Sequence, residues 1–326
     1  MAYNKDKAGF TRLDQPSVFI PGQTVLIVSY TVYRFAVSLY FPYFCLPYPS
    51  TELFMQRYPI VFSIAGSDPS GGAGIQADLK TIAALGGYGA AAITALTIQN
   101  TRGVKEVYPV SADVVSQQIL AVCEDLHPEV VKIGMVATVE NVYAIARALR
   151  RFRPSQVIYD PVLAATAGRK LIRDNALEAL HAELFPLCTL ITPNLEEAER
   201  LTGLPVRNEE QMQVAGQRLR EQGCPAVLIK GGHLSGEEMT DLLFTPEQLY
   251  RFSVPKIDSA NLHGTGCTLS SAISTCIALG YTLPEAVRKA RSYLIQAIQA
   301  GKDIRTGNGN GPVCHSSDPV KMVVLV

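Results

Sequence analysis

The stretch "YPIVFSIAGSDPSGGAGIQADLKTIAALGG", residues 58 to 87, decides how the rest of the chain is read. It opens on "YPIVFSIAG", an apolar run of the length of a short buried strand. A glycine-rich turn leads into "GIQADLKTIAALGG", which has helical periodicity and closes on glycine. The same strand-then-helix rhythm repeats downstream. "GAAAITALTIQN" (89–100) reads as a buried apolar strand, and "SADVVSQQILAVCEDL" (111–126) as a helix with Ser111 as its N-cap. "VVKIGM", "QVIYDPV", "TLITPN" and "AVLIKGGH" read as further strands. "VENVYAIARALRRF", the segment from Ala176 to Leu184, "LEEAERLTG" and "EEQMQVAGQRLREQG" read as helices. A β-hairpin through "MTDLLFTPEQLYRFSVPKI", a glycine loop and two last helices follow. Continuous apolar strands alternating with amphipathic helices predict an α/β fold whose mostly parallel sheet is covered on both faces.

The bulk composition narrows the partners. With 326 residues, 48% of them hydrophobic and 18% charged, the chain has enough apolar material for a large core. Its formal net charge of zero argues against nucleic acid and against an acidic membrane surface, and leaves small molecules as the expected ligands. The seven cysteines (45, 123, 188, 224, 267, 276, 314) are odd in number and form no C-x-x-C pair. That favours reduced thiols in the cytoplasm.

The first 57 residues differ. "TVLIVSYTVYRFAVSLYFPYFCLPYP" (24–49) is apolar and aromatic, and its length approaches a membrane span. Arg34 sits mid-segment, however, and Pro42, Pro47 and Pro49 break the second half; no signal-peptide pattern is present. Residues 1–57 are therefore expected to form an extension outside the core fold, and a membrane role is not expected. The patch "GNGNGP" (307–312) suggests an end to the ordered domain, which gives a core of 58–315 and a tail of 316–326.

In a sheet of this kind, ligands gather at the carboxyl ends of the strands. Polar residues follow the apolar runs there: Ser67-Asp68, Gln99-Asn100, Gly134-Met135, Asp160, Asn194 and Lys230-Gly231-Gly232. Singly, each is an ordinary turn or cap residue. Together they outline a rim. Gly71, Gly72 and Gly74 let "GSDPSGGAGIQADLK" close over a small ligand, yet its spacing fits neither a P-loop nor a dinucleotide fingerprint. Asp78 falls early in the following helix, where it caps that end or reaches into the pocket.

"NLHGTGCTLSSAIS" (261–274) places two glycines and a cysteine before a helical pattern of Leu269, Ala272, Ile273 and Ile277. A helix starting there aims unpaired N–H groups and the positive end of its dipole outward, making an anion site with a thiol at its mouth. The alternative is a glycine turn into a buried helix with an inert cysteine. A thiol at a helix N-terminus is expected to have a lowered pKa.

"IAGSDPSGGAGIQADLKT", "ALTIQNTRGV", "KIGM", "ITPNLEEAE", "IKGGH" and "HGTGCTLSSAI" occur in that order. Together they resemble the hydroxymethylpyrimidine/phosphomethylpyrimidine kinases of thiamine biosynthesis, within the ribokinase-like superfamily, over about residues 58 to 315. The resemblance implies a three-layer α/β/α kinase. It implies ATP and Mg²⁺ as cofactors and 4-amino-5-hydroxymethyl-2-methylpyrimidine as substrate, phosphorylated to the monophosphate and then to the diphosphate. A homodimer is implied as well. By the same resemblance Gly264, Thr265, Gly266 and Cys267 form the anion hole, with Cys267 where sugar kinases carry an aspartate base. Lys230 reaches the ATP phosphates, and Asn194, Glu197 and Asp160 face the metal. Gln99 reads the aminopyrimidine edge with support from Asp78, while Gly66, Thr97, Met135 and Val162 wall the ring pocket. His263 touches nucleotide or caps the loop and is assigned no catalysis. The tail "VCHSSDPVKMVVLV" departs from the family pattern. Two alternatives stay open: a pyridoxine or pyridoxal kinase of the same superfamily, and a vitamin-binding protein that has lost catalysis.

Overall fold

The computed structural model describes residues 56–163, 176–232 and 234–325. The aromatic stretch 24–49 and most of the loop after Asp160 lie outside the described residues. Along the chain come β1 (Ile60–Ser67), α1 (Gly74–Ala84), β2 (Tyr88–Asn100), β3 (Gly103–Pro109), α2 (Ala112–Leu126) and β4 (Val130–Ile133). There follow α3 (Val139–Phe152), β5 (Gln156–Tyr159), α4 (Ala176–Ala179), β6 (Leu190–Ile191), α5 (Leu195–Thr202) and α6 (Glu209–Glu221). Last come β7 (Ala226–Ile229), β8 (Glu238–Phe244), β9 (Leu249–Pro255), α7 (Thr265–Ala278) and α8 (Leu283–Gly301).

One sheet carries the order β3-β2-β1-β4-β5-β6-β7-β8-β9. In the order from β2 to β7 every pair is parallel; β3 at one edge pairs antiparallel with β2, and at the other edge β8 pairs antiparallel with both β7 and β9. Alternation along the strands divides the core in two. Phe62, Ile64, Val131, Ile133, Val157 and Tyr159 face α2, α3, α5 and α6, through Ile119, Ile145, Leu201 and Leu219. Val61, Val130 and Ile158 face α1, α7 and α8, through Ile82, Ile273 and Leu294. The result is the three-layer α/β/α arrangement expected of a parallel sheet buried on both sides.

Three features depart from the sequence reading. Beyond Leu96, β2 runs past the end of β1 and pairs only with β3, as a hairpin joined by Thr101-Arg102; Leu96 and Ile98 are half exposed. Apolar composition alone reads as buried; it gives no sign that the neighbouring strand is missing. The helix begun by α4 continues as a wider turn over Leu180–Leu184 and a tight one over Phe185–Leu187, which contains Pro186. Finally, the chain stays within the fold beyond "GNGNGP". Val313 is buried, the Tyr293 hydroxyl donates to the carbonyl of His315 at 2.5 Å, and Val320 and Val323 donate backbone bonds to Ala84 and Gly86. Leu325 pairs with Arg57. Glycines end regular structure, but the backbone amides of Gly309 and Gly311 are held by Thr101 and Asn261.

Candidate active site

Strands β4 to β7 are short because each stops where the polar rim begins. One cavity of about 1010 Å³ opens there. It is lined by Gly66, Thr97, Gln99, Met135, Val162, Asp160, Asn194, Glu197, Lys230 and the run Gly264–Cys267. These are all the residues to which the resemblance gave a catalytic, metal or ring-pocket role, except Asp78; Gly71, Gly72, Asn100, Gly134 and Gly231 are not part of this lining.

Helix α7 starts at this cavity. Its N-cap, Gly264, has φ +82, and a Cβ there would sit 1.8 Å from the carbonyl oxygen of Gly72. Only glycine lets the two glycine loops meet so closely. No side chain caps the helix; the Thr265 amide donates weakly to the Leu262 carbonyl at 3.3 Å, and the first turn lines the cavity. Cys267 is partly buried within this first turn. Burial pushes its thiol up to about 11; Lys132 pulls it down, and Asp78 and Asp160 push it up again. The lowered pKa expected from the helix start is thus overturned, because desolvation and two carboxylates outweigh one ammonium. The thiol is neutral at neutral pH.

At one end of the cavity Lys230 Nζ lies 2.7 Å from Asp160 Oδ1 and 3.9 Å from Glu197 Oε2. Thr192 Oγ1 also donates to Asp160 Oδ1. Burial alone would lower the lysine, but Asp160 and Glu197 raise it above the ordinary value, so it is a fixed cation. Glu197 rises to about 7 through burial, against the pull of Lys230 and with the push of Asp160. The N-x-x-E spacing proves to be a capping box: Asn194 Oδ1 accepts from the Glu197 amide at 2.9 Å, and Glu197 Oε2 accepts from the Asn194 amide at 2.8 Å. Asn194 thereby spends its oxygen on the helix start. Among the described residues no three acidic, histidine or cysteine side chains form a metal cage. The hard oxygens of Asp160 and Glu197 suit Mg²⁺ that keeps its water and arrives on phosphates.

The other end is shaped for a flat ring. A Cβ on Gly66 would fall 2.4 Å from Met135 Cε, so the missing side chain is what lets Met135 lie against β1. Met135 packs with Ala95, Ala137, Val107 and Val162 in a small apolar cluster. Gln99 lies beside it, with Thr97 Oγ1 3.2 Å from Gln99 Oε1 and donating to the carbonyl of Ser67 at 2.9 Å.

Asp78 departs from its expected role. It is fully buried, and its oxygens accept from Lys132 Nζ at 2.9 Å each, from Ser63 at 2.6 Å and from Ser271 at 2.8 Å. No lone pair is left for a ring amine. The carboxylate instead ties α1, β1, β4 and α7 together beneath the thiol. Lys132, within "VVKIGM", is equally buried, and Asp78 chiefly raises it against the desolvation that would lower it. A lysine inside an otherwise apolar strand was the sequence signal for this pair.

Asp68, expected on the rim, and His263, expected to touch nucleotide or cap the loop, meet each other. Asp68 accepts from Ser70, Gly72, Ala73 and His263. Burial would raise its pKa, but the hydrogen bonds of His263 and Ser70 bring it down to about 2. No helix among the described residues is long and apolar enough to cross a membrane.

Comparison with known proteins agrees with this geometry. The family model described as phosphomethylpyrimidine kinase matches residues 68–314. The chain is 51% identical to the hydroxymethylpyrimidine/phosphomethylpyrimidine kinase of Rhizobium meliloti (strain 1021) over 257 residues, 78% of this chain and 96% of that protein. It resembles the crystal structure of phosphomethylpyrimidine kinase from Clostridium difficile 630 with 42% identity and a TM-score of 0.66, covering 73% of this chain and 99% of the other. The pyridoxal kinase of Staphylococcus aureus in complex with ADP gives a TM-score of 0.74 at 31% identity, over 80% and 94% of the two chains. The glycine-bounded start of α7, the matched length and the level of identity lead to one conclusion: this chain belongs to the phosphomethylpyrimidine kinase family.

Proposed function

We propose that this protein transfers a phosphoryl group from ATP to the hydroxymethyl oxygen of 4-amino-5-hydroxymethyl-2-methylpyrimidine, and a second one to the resulting monophosphate, in thiamine biosynthesis. The observation that carries this is one cavity with two chemistries. Its charged end holds Lys230, Asp160 and Glu197, its flat apolar end holds Gln99, Met135 and Val162, and the uncapped start of α7 is part of the same wall. Phosphoryl transfer needs positioning and charge neutralisation more than covalent help. The amides of Thr265, Gly266 and Cys267 supply neutralisation at the phosphoryl group in flight. Lys230 supplies a point charge for the donor phosphates. Asp160 and Glu197 are the residues that would hold Mg²⁺ through water; the ion supplies further neutralisation of phosphate charge.

Cys267 faces two acceptors in turn, an alcohol and a phosphate. A neutral thiol admits the phosphate without repelling it, where a fixed carboxylate would not. A thiol that rests protonated does not take the proton of the acceptor hydroxyl; in a loose transition state that proton leaves late, to a phosphate oxygen or to water, so the missing base is no obstacle. The pyridoxal kinases share the fold at a higher TM-score, but sequence identity favours the pyrimidine. Part of the same proposal are a homodimer and a cytoplasmic setting, the latter supported by six free thiols among the described residues.

The test is to incubate the protein with Mg-ATP and either the aminopyrimidine or pyridoxal, and to identify products by mass. Pyrimidine mono- and diphosphate are expected. Phosphorylation of pyridoxal alone would replace this reading with the second, and ligand binding without ADP formation would replace it with a silent binding protein.

A further inference from the structure

We propose that His263 is a specificity-determining residue: it fixes which way round the Gln99 amide sits, and through it the donor–acceptor order that the site demands of a ring edge. The inference rests on the pyrimidine kinase reading and adds to it a reason for selectivity.

The hydrogen-bond network forces the orientation. His263 Nε2 lies 2.8 Å from Asp68 Oδ2 and 3.1 Å from the amide nitrogen of Gln99. Asp68 already accepts from the backbone of Ser70, Gly72 and Ala73 and from the Ser70 hydroxyl, which marks it as an ionised, acceptor-only group. A ring nitrogen at 2.8 Å from such an oxygen must carry the proton. With Nε2–H committed to Asp68, an NH₂ group at 3.1 Å sets donor against donor. The amide is stable turned by 180°, with its oxygen as the second, weaker acceptor at 3.1 Å of the N–H that His263 gives to Asp68. The NH₂ then meets Thr97 Oγ1, whose own proton goes to the Ser67 carbonyl and whose lone pair is free.

Both ends of the amide are therefore read by groups that cannot reverse. The imidazole is itself held: its backbone amide donates to Gly311 at 3.2 Å, and a Cβ on Gly72 would lie 2.5 Å from its Cδ2. What remains for a ligand is one oxygen lone pair on the His263 side and one N–H on the Thr97 side. That pair matches an exocyclic amine beside a bare ring nitrogen. A 4-oxo pyrimidine in its N–H form presents the reverse order and leaves both contacts mismatched, a type of error that buried polar sites reject strongly.

The experiment compares kcat/KM for 4-amino- and 4-oxo-5-hydroxymethyl-2-methylpyrimidine in the wild type, in His263→Ala and in Thr97→Val. The expected result is that each variant lowers the amino-to-oxo ratio by about tenfold or more, because the freed amide turns to suit either ring. KM for ATP stays within about twofold, which a general disturbance of the glycine loops would not allow. A ratio unchanged in both variants, or an equal loss for both rings, overturns the proposal. Thr97→Val is nearly isosteric and keeps the test open should His263→Ala fail to fold. Dissociation constants of the two rings, measured by calorimetry on the same proteins, carry the same comparison if the wild type turns over neither pyrimidine. That last outcome would count against the kinase reading, not against the orientation of Gln99.

Discussion

A thiol held at about 11 by its surroundings is a latent nucleophile, and Cys267 is in that position at the start of α7. Its alkylation by iodoacetamide should rise close to tenfold per pH unit from pH 7 to 10 with no plateau, since the thiolate fraction keeps growing below the pKa. A plateau between pH 6 and 8 would mean that the helix start dominates after all. Cys267→Asp places a permanent anion beside the acceptor. It should slow the second phosphorylation more than the first, by about tenfold or more, because only the second acceptor is a dianion; equal losses in timed product analysis would remove repulsion as the reason. At this scale the sequence was informative about which residues meet but not about their protonation. Gln99 and Lys230 follow apolar runs and Cys267 follows a glycine turn into a helix, so their place on the rim is legible. The burial that lifts Cys267 and the charges that act on it, Lys132 downward and Asp78 and Asp160 upward, come from distant parts of the chain.

Helix α1 shows how a correct element can carry a misread side chain. Its apolar pattern was legible, and the same period puts Asp78 on one face with Ile75 and Ile82, both buried. Asp78 therefore points inward with them, to Lys132 on β4 and Ser271 on α7. Removing one member of a buried ion pair strands the other. Lys132→Met and Asp78→Asn should each cost about 3–5 kcal/mol in urea unfolding, and Lys132→Met with Asp78→Leu together much less than the sum. Additive losses would show that the two do not act as a pair. The hairpin β2–β3 was not legible for a different reason. "GVKEVYP" carries two charges and pairs with a segment whose apolar residues point to solvent, so neither strand shows the alternation of a half-buried sheet.

The molecule as a whole should be acid-sensitive in two steps. His315 is lowered to about 4 by burial, with Lys80 and His263 adding, and its Nε2 lies 3.1 Å from Thr268 Oγ1 on α7. A folded pKa below the unfolded value near 6.5 means that the unfolded chain takes up this proton first. Stability is then full above that value and falls as pH drops from 6.5 towards 4, by about 2–3 kcal/mol. Asp68, lowered from 3.8 to about 2, adds a second loss across that lower window. Glu197 works against the first step, since its raised pKa favours the folded state below 4.5 and ceases to as pH rises through about 7. Urea midpoints at pH 7 and 4.5 should therefore differ less in His315→Gln than in the wild type; identical differences would discount His315. The fold class was plain from the strand–helix rhythm. The return of 316–325 against Arg57, Ala84 and Gly86 was not, because backbone pairing across the whole chain leaves no local pattern.

The most direct measurement is a crystal structure with ADP and the pyrimidine monophosphate bound together. The expected result places the phosphate against the amides of Thr265, Gly266 and Cys267, the ring edge on Gln99 and the ADP phosphates at Lys230. A phosphate bound away from the start of α7, with the ring outside the Gly66–Met135 pocket, would contradict it.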